Sequence, residues 1–309
     1  MDRLSRTQLH AFLRNTLKED GAFFDATSRA VVPQDLRVRA RIAARASGIL
    51  AGAPVAAWIF TALDPSLRCA AKRPEGSAFR KGDTLLTIEG RARSIFSAER
   101  SALSLLGHLC GIATVTRIFA GKMSGSRAKL FDTRKTLPGL RALQKYAVRT
   151  GGGHNHRLDL REAILIKTNQ LRALGTVRFR EASLVKRTRP GSRNRRAGEA
   201  VITRAIREAR RRYPKKFLEI EVAGLREFKE ALQARPDAIL LDNWRLADIR
   251  KAVRSRDTLH ASRFTPLLEA SGGITLSNVR AIARTGVERI SVGRLTRSAP
   301  TIDLALEVI

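Results

Sequence analysis

Along the second half of the chain, short runs of apolar and β-branched residues alternate with stretches in which apolar positions recur every three or four residues. The runs at 129–132, 163–167, 217–222, 238–242, 266–271 and 289–293 read as strands. Between most of them lie amphipathic helical patterns, at 138–149, 197–213, 225–234 and 276–285. A repeating order of strand, helix, strand predicts parallel pairing with helices covering the sheet. Each run ends in a chemically competent group: Asp132 with Arg134 and Lys135 close behind, then Lys167, Glu221, Asp242, Ser271 and Gly293. In a closed α/β barrel the active site forms where strand carboxyl ends meet the following loops. An open doubly wound sheet spreads those ends in a row. The succession of polar ends therefore favours a barrel, and the six strands counted here make it an incomplete one.

The first half is patterned differently. Helical periodicity covers 3–19 and 94–120, β-like pieces fall at 39–44 and 84–88, and Pro33, Pro54, Pro65 and Pro74 punctuate the region. This predicts a separate α+β domain over 1–115, a barrel domain over 116–295, and a tail, 296–309, that packs back on the first domain. The stretch at 171–198, with RPGSRNRR at 189–196, reads as a solvated insertion. No run reaches the roughly 18 apolar residues of a membrane span, and the N-terminus lacks a basic segment followed by an apolar one. The expectation is a cytoplasmic protein without a membrane partner. Cys69 and Cys110 are too few for a disulfide framework or a cysteine metal site and are expected to serve packing.

Charge changes this picture. The 309 residues carry 59 Lys and Arg against 28 Asp and Glu, a formal net charge of +31. Residues 171–217 alone hold sixteen basic residues against three acidic ones. Such a field attracts polyanions, which include nucleic acid, phosphorylated metabolites and pyrophosphate. Aromatic content is only 5%, with no interleaved basic and aromatic pattern for base stacking, which weighs against nucleic acid as the partner.

The motifs favour small anions. DTRKTLPGL at 132–140 places Arg134 and Lys135 just past a strand, where a guanidinium can grip a carboxylate with two parallel hydrogen bonds. GGGHNHR at 151–157 supplies a glycine loop that lets backbone approach a ligand, followed by His156 and Arg157. His154 and His156 have no further Cys or His at ligand spacing, so zinc is not expected; His156 reads as a hydrogen-bond donor to an anion. Glu221 and Asp242 end two apolar runs 21 residues apart, where their carboxylates suit either Mg²⁺ carrying a diphosphate or sugar hydroxyls. EASGGI at 269–274 and ISVG at 290–293 are strand-end glycine loops of the kind that hold phosphate on backbone amides.

The run from DTRKT to GGGHNHR, with ERSALSLLGHLCGIATVTR at 99–117 before it and EIEV, LLDN, EASGGI and GVERISVG after it, resembles the quinolinate phosphoribosyltransferase family over nearly the whole chain. The resemblance implies a small N-terminal sandwich domain followed by a roughly six-stranded α/β barrel. It also implies a homodimer with shared active sites, in which Arg100 is lent to the partner subunit's site. It implies that Arg134, His156, Arg157 and Lys167 hold the pyridine dicarboxylate. Lys135, Glu221 and Asp242 would serve phosphoribosyl pyrophosphate and Mg²⁺, with Lys135, Lys167, Glu221 and Asp242 as the catalytic set. Ser271, Gly272, Gly273 and Gly293 would lie near the 5′-phosphate. The implied activity converts quinolinate and phosphoribosyl pyrophosphate to nicotinate mononucleotide, pyrophosphate and CO₂.

The family usually follows its lysine with Asp-Asn-His, whereas Lys167 here precedes Thr168-Asn169-Gln170. Ser104 replaces a usual asparagine, and most of 171–198 is extra. These departures leave two alternatives: a paralogue with altered substrate or reduced activity, and an added nucleic-acid-binding role through the basic insertion.

Overall fold

The computed structural model describes residues 6–176, 200–258 and 265–309, which form two compact units. The first comprises 1–121, 132–155 and 293–309, and the second 122–131 and 156–292. Of the expected insertion, residues 177–198 lie outside the described residues, and 171–176 belong to the helix Thr168–Thr176.

In the first unit, β1 (Arg37–Ala44), β2 (Gly48–Ile49), β3 (Arg68–Ala71), β4 (Ala78–Phe79) and β5 (Thr84–Arg91) precede the barrel strands in sequence. The sequence RVRARIAA explains β1: Arg37, Arg39 and Arg41 take the wetter positions while Ala40 and Ile42 are buried, the period-two pattern of a half-covered sheet. The helix Ala53–Leu63 packs on β3 and β5, and its N-terminal amides Gly52 N and Ala53 N are capped by the Glu75 carboxylate at 2.7 and 2.9 Å.

The helix Ala92–Lys122 is long and apolar enough to cross a membrane, but 67% of its most apolar stretch is buried in the structure. That is the pattern of a soluble protein's core helix. Gly107 and Gly111 face the C-terminal segment so closely that a Cβ on Gly111 would stand 1.7 Å from the Pro300 carbonyl oxygen. The amide of Ile302 bonds the Gly107 carbonyl at 3.0 Å. The tail then forms a strand, Leu304–Val308, that pairs antiparallel with β1 from Ala40↔Val308 to Ala44↔Leu304. The four-stranded sheet thus has the order 304–308, β1, β5, β3.

The second unit holds β6 (Lys129–Phe131), β7 (Ile164–Ile166), β8 (Leu218–Val222), β9 (Ala238–Asp242), β10 (Leu267–Ser271) and β11 (Arg289–Ser291); the tail strand completes the series as β12. All six expected strands are present, and each neighbouring pair in the sheet is parallel. The order β6, β11, β10, β9, β8, β7 follows the chain around a barrel, with the seam between β6 and β7. β9 reads AILLD and buries its first four residues, as a strand covered on both faces requires. Outside it, the helix Val201–Arg212 buries Ile202, Ala205 and Ile206 and turns its arginines outward, and Leu225–Ala234 buries Phe228, Ala231 and Leu232 against it.

Candidate active site

The predicted site residues fall into two groups. Arg100, Arg134, Lys135 and Gly293 belong to the first unit; His156, Arg157, Lys167, Glu221, Asp242, Ser271, Gly272 and Gly273 belong to the second.

In the first unit the DTRKT segment is held from below. Asp132 is fully buried, and its Oδ1 lies 2.5 Å from the Nζ of Lys145, itself 1% exposed. Asn155, with its amide turned to donate, bridges Asp132 Oδ2 at 2.8 Å and the Lys145 carbonyl at 2.9 Å, and the Asp132 amide bonds the His154 carbonyl. The motif's aspartate is therefore an internal anchor, not an open strand-end group. The glycine loop has an internal reason too. A Cβ on Gly151 would meet the Ala113 carbonyl at 2.5 Å, and one on Gly153 would meet Val148 at 2.8 Å. Those glycines face the protein's own helices, not the ligand that their sequence suggested.

On this anchored segment Arg134 presents a buried Nε with no hydrogen-bond partner among the described residues. Lys135 is exposed, with its carbonyl held by Thr296 Oγ1 at 2.8 Å and its side chain passing Gly293 at 3.2 Å from where a Cβ would stand. Gln144 ties the same segment down: Oε1 accepts from the Leu137 amide and Nε2 lies 2.8 Å from His108 Nε2. Arg100 is exposed on the helix Ala92–Lys122.

In the second unit the strand ends make an upper tier. Lys167 Nζ lies 3.8 Å from Glu221 Oε2, while Thr168 Oγ1 donates to Glu221 Oε1 at 2.8 Å. Gln170 Oε1 accepts from the Lys167 amide at 3.0 Å. Both departures from the family pattern are thus integrated into this corner. Asp242 pairs in register with Ser271, and its Oδ2 accepts from Asn243 Nδ2 at 2.9 Å. Asn243 adopts φ 60°, a conformation asparagine tolerates better than most residues. Its side chain sits where a Cβ on Gly272 would be, at 2.3 Å, so Gly272, with φ 80°, admits no side chain.

Two residues down strands β8 and β10, a second tier lines the barrel interior. Period two puts Glu219 below Glu221 and Glu269 below Ser271 on the same faces. His156 Nε2 lies 3.0 Å from Glu219 Oε2 and 3.4 Å from Glu269 Oε1, so a single ring touches β8 and β10 at once. Phe131 of β6 meets the same ring edge-on. Residues from three alternate strands converging on one ring require a sheet curled into a barrel. Arg289 Nε is 2.5 Å from Glu269 Oε2, and its guanidinium lies over the Phe131 ring at 4.0 Å.

Burial opposes protonation of His156, but the hydrogen bond to Glu219 and the nearby Glu269 outweigh it and push the ring up to about 9. On charge alone it would be an imidazolium. The Arg157 amide, however, donates to Nδ1 at 2.8 Å and needs a lone pair there. A proton on Nδ1 would face that donor, so the single ring proton sits on Nε2 and points to Glu219. Burial and the Glu269 charge raise Glu219; burial also works to raise Glu269, but His156 and Arg289 prevail and hold it down at about 2. Arg157 Nη1 donates to the Ala163 carbonyl at 2.9 Å, at the entrance to β7.

Glu219, Glu269, Arg289, Lys145 and Asn155 were not among the residues expected from sequence. A signal existed for the first two: acids in the middle of apolar strands, two residues before Glu221 and Ser271, do not belong in a plain barrel core.

Comparison with known proteins agrees with this arrangement. Residues 25–110 match the N-terminal domain of quinolinate phosphoribosyl transferase, and residues 112–307 match its C-terminal domain. The chain is 38% identical to the nicotinate-nucleotide pyrophosphorylase [carboxylating] of Mycobacterium leprae, over 96% of this chain and 95% of that one. It is 33% identical to a probable enzyme of the same name from Bacillus subtilis, over 99% and 95%. Among solved structures, the nicotinate-nucleotide pyrophosphorylase of Francisella tularensis superposes with a TM-score of 0.84 at 32% identity, covering 99% of this chain and 98% of that one. That of Ehrlichia chaffeensis gives 0.84 at 30% identity, covering 99% and 100%. Motifs, barrel and near full-length similarity lead to one assignment: the chain belongs to the quinolinate phosphoribosyltransferase family.

Proposed function

We propose that this chain transfers phosphoribosyl from phosphoribosyl pyrophosphate to the ring nitrogen of quinolinate and releases pyrophosphate, CO₂ and nicotinate mononucleotide, a step of NAD biosynthesis. The observation that carries the reading is Arg134: a buried guanidinium nitrogen that has no partner among the described residues, on a loop anchored by Asp132, Lys145 and Asn155. An orphaned buried donor is costly unless a ligand completes it, and a carboxylate does so with a charge-assisted bond.

The chemistry needs no side-chain nucleophile. The pyridine nitrogen attacks ribose C1′ as the bond from C1′ to the pyrophosphate oxygen breaks. When the adjacent carboxylate departs as CO₂, the electron pair of the broken C–C bond stays on the ring carbon as a carbanion stabilised by the neighbouring pyridinium nitrogen, and that pair then takes up a proton. The family resemblance assigns Arg134, Arg157 and Lys167 to the two carboxylates and Lys135 to the pyrophosphate, cationic roles in which positioning and electrostatics do most of the work. The resemblance assigns Ser271, Gly272, Gly273 and Gly293 to the 5′-phosphate; Gly272 and Gly273 take φ values of 80° and 59°, a conformation that glycine adopts readily.

Glu221 and Asp242 offer hard oxygen donors at the ends of neighbouring strands and fit Mg²⁺. When bound, the ion neutralises charge on the diphosphate leaving group. Glu221 and Asp242 would hold it, with Lys167 and Thr168 restraining the Glu221 carboxylate. The resemblance implies a homodimer in which Arg100 completes the partner's site, and the side chain is exposed as that role requires. A cytoplasmic location fits the soluble core helix.

The test is direct: purified protein is incubated with quinolinate, phosphoribosyl pyrophosphate and Mg²⁺, and nicotinate mononucleotide and CO₂ are quantified. Equimolar products are expected; no product beside an active control enzyme overturns the reading.

A further inference from the structure

Two acids and an arginine inside the barrel take no part in the reaction as proposed, yet they are among the costliest groups to place there. The Glu219 side chain is 1% exposed and that of Glu269 0%. An uncompensated buried carboxylate is strongly destabilising, so a pair of them needs a structural purpose and a counter-charge. Arg289 supplies the charge, 2.5 Å from Glu269 Oε2 and packed against the rings of Phe131 and Phe217. One histidine and two carboxylates within 4.8 Å also form a metal-type donor set. The guanidinium already bound to Glu269 fills the cation's place and favours a hydrogen-bonded clamp instead.

What the clamp holds is His156. Its Nε2 side is enclosed by the two acids, and its Nδ1 accepts the Arg157 amide at 2.8 Å. Each end of the ring dictates the other: an acceptor at Nε2 keeps the proton there, which leaves the lone pair that the Arg157 amide requires. The same residue's guanidinium is tied to the Ala163 carbonyl, where β7 leads to Lys167.

Resting on the function proposed above, we propose that Glu219 and Glu269, backed by Arg289, are positioning residues. They fix His156 in its Nε2–H tautomer, and through Nδ1 the ring sets the backbone of Arg157 for the pyridine dicarboxylate. His156 thus acts through Arg157 and not as a direct donor to substrate.

Two measurements on the full-length protein test this. In steady-state kinetics, Glu219→Met removes the acceptor at similar length, and the KM for quinolinate is expected to rise about tenfold while that for phosphoribosyl pyrophosphate stays within about twofold. Glu219→Gln keeps a carbonyl acceptor and is expected to recover most of the quinolinate KM. An unchanged quinolinate KM in Glu219→Met, or equal rises for both substrates, overturns the clamp. Nitrogen-15 NMR of the histidine rings in the wild-type protein, with His156 assigned by loss of its signals in His156→Gln, reads the tautomer without depending on the folding of any Glu219 variant. A proton on Nε2 alone is expected; a ring protonated on Nδ1 overturns the proposal. Because NMR needs no turnover, an inactive wild-type protein would defeat the functional reading while leaving the clamp decided by the tautomer.

Discussion

Arg134 and Asp25 show how one side chain's surroundings set its behaviour. Arg134 is poised by the anchored loop beneath it, and its planar fork is matched to a carboxylate in a way that an ammonium group is not. Arg134→Lys is expected to lower kcat/KM for quinolinate by about 100-fold with the fold intact, measured by initial rates and far-UV circular dichroism. Asp25 caps the helix Ala26–Val31, accepting from the Ser28 amide at 3.0 Å and from Ser97 Oγ at 3.0 Å. The Ser28 hydroxyl and amide hold its carboxyl below the usual 3.8. A depressed folded-state value means the stabilisation is present above 3.8 and fades as the pH falls below it. Asp25→Ala is expected to cost about 1 kcal/mol at neutral pH. In urea titrations its deficit against wild type should shrink near the acid end of that window.

At the scale of elements, the long helix and the tail teach the clearest lesson. Glycine within a helix, as at Gly107 and Gly111, is intrinsically unfavourable. Their use is the close approach of residues 300–302, which lets the tail run on into β12 and complete the sheet. Gly111→Ala would drive a methyl group into the Pro300 carbonyl and is expected to cost about 3 kcal/mol, seen as a lower denaturation midpoint. The strands were legible because parallel barrel strands are continuous apolar runs with abrupt polar ends, and β9 and β10 lie within one residue of their expected bounds. The helix expected from Pro138 instead begins at Arg141, because 138–140 form a turn that presents the Leu137 amide to Gln144. That bond joins residues seven apart across a turn, beyond the reach of helical periodicity.

For the whole molecule the +31 charge is the property with the widest reach. A field of that size draws anionic substrates toward the protein and is screened by salt. Raising KCl from about 0.05 to about 0.5 M is expected to lower kcat/KM for phosphoribosyl pyrophosphate about threefold. A variant lacking residues 178–196 should show a shallower dependence in the same assay, since that segment is rich in arginine.

By itself, the sequence determined the parallel strands, the chemistry at their ends and the preference for small anions, because these depend on local periodicity and residue type. Family membership was legible for the same reason, in DTRKT and GGGHNHR. Only the tertiary structure decided that Asp132 is an anchor, that the glycine loop faces a helix, and that His156 meets Glu219 and Glu269 within the barrel. The partners lie 13, 63 and 113 residues apart in the chain, and the last two pairs meet only when the sheet curls, so no local pattern could declare them.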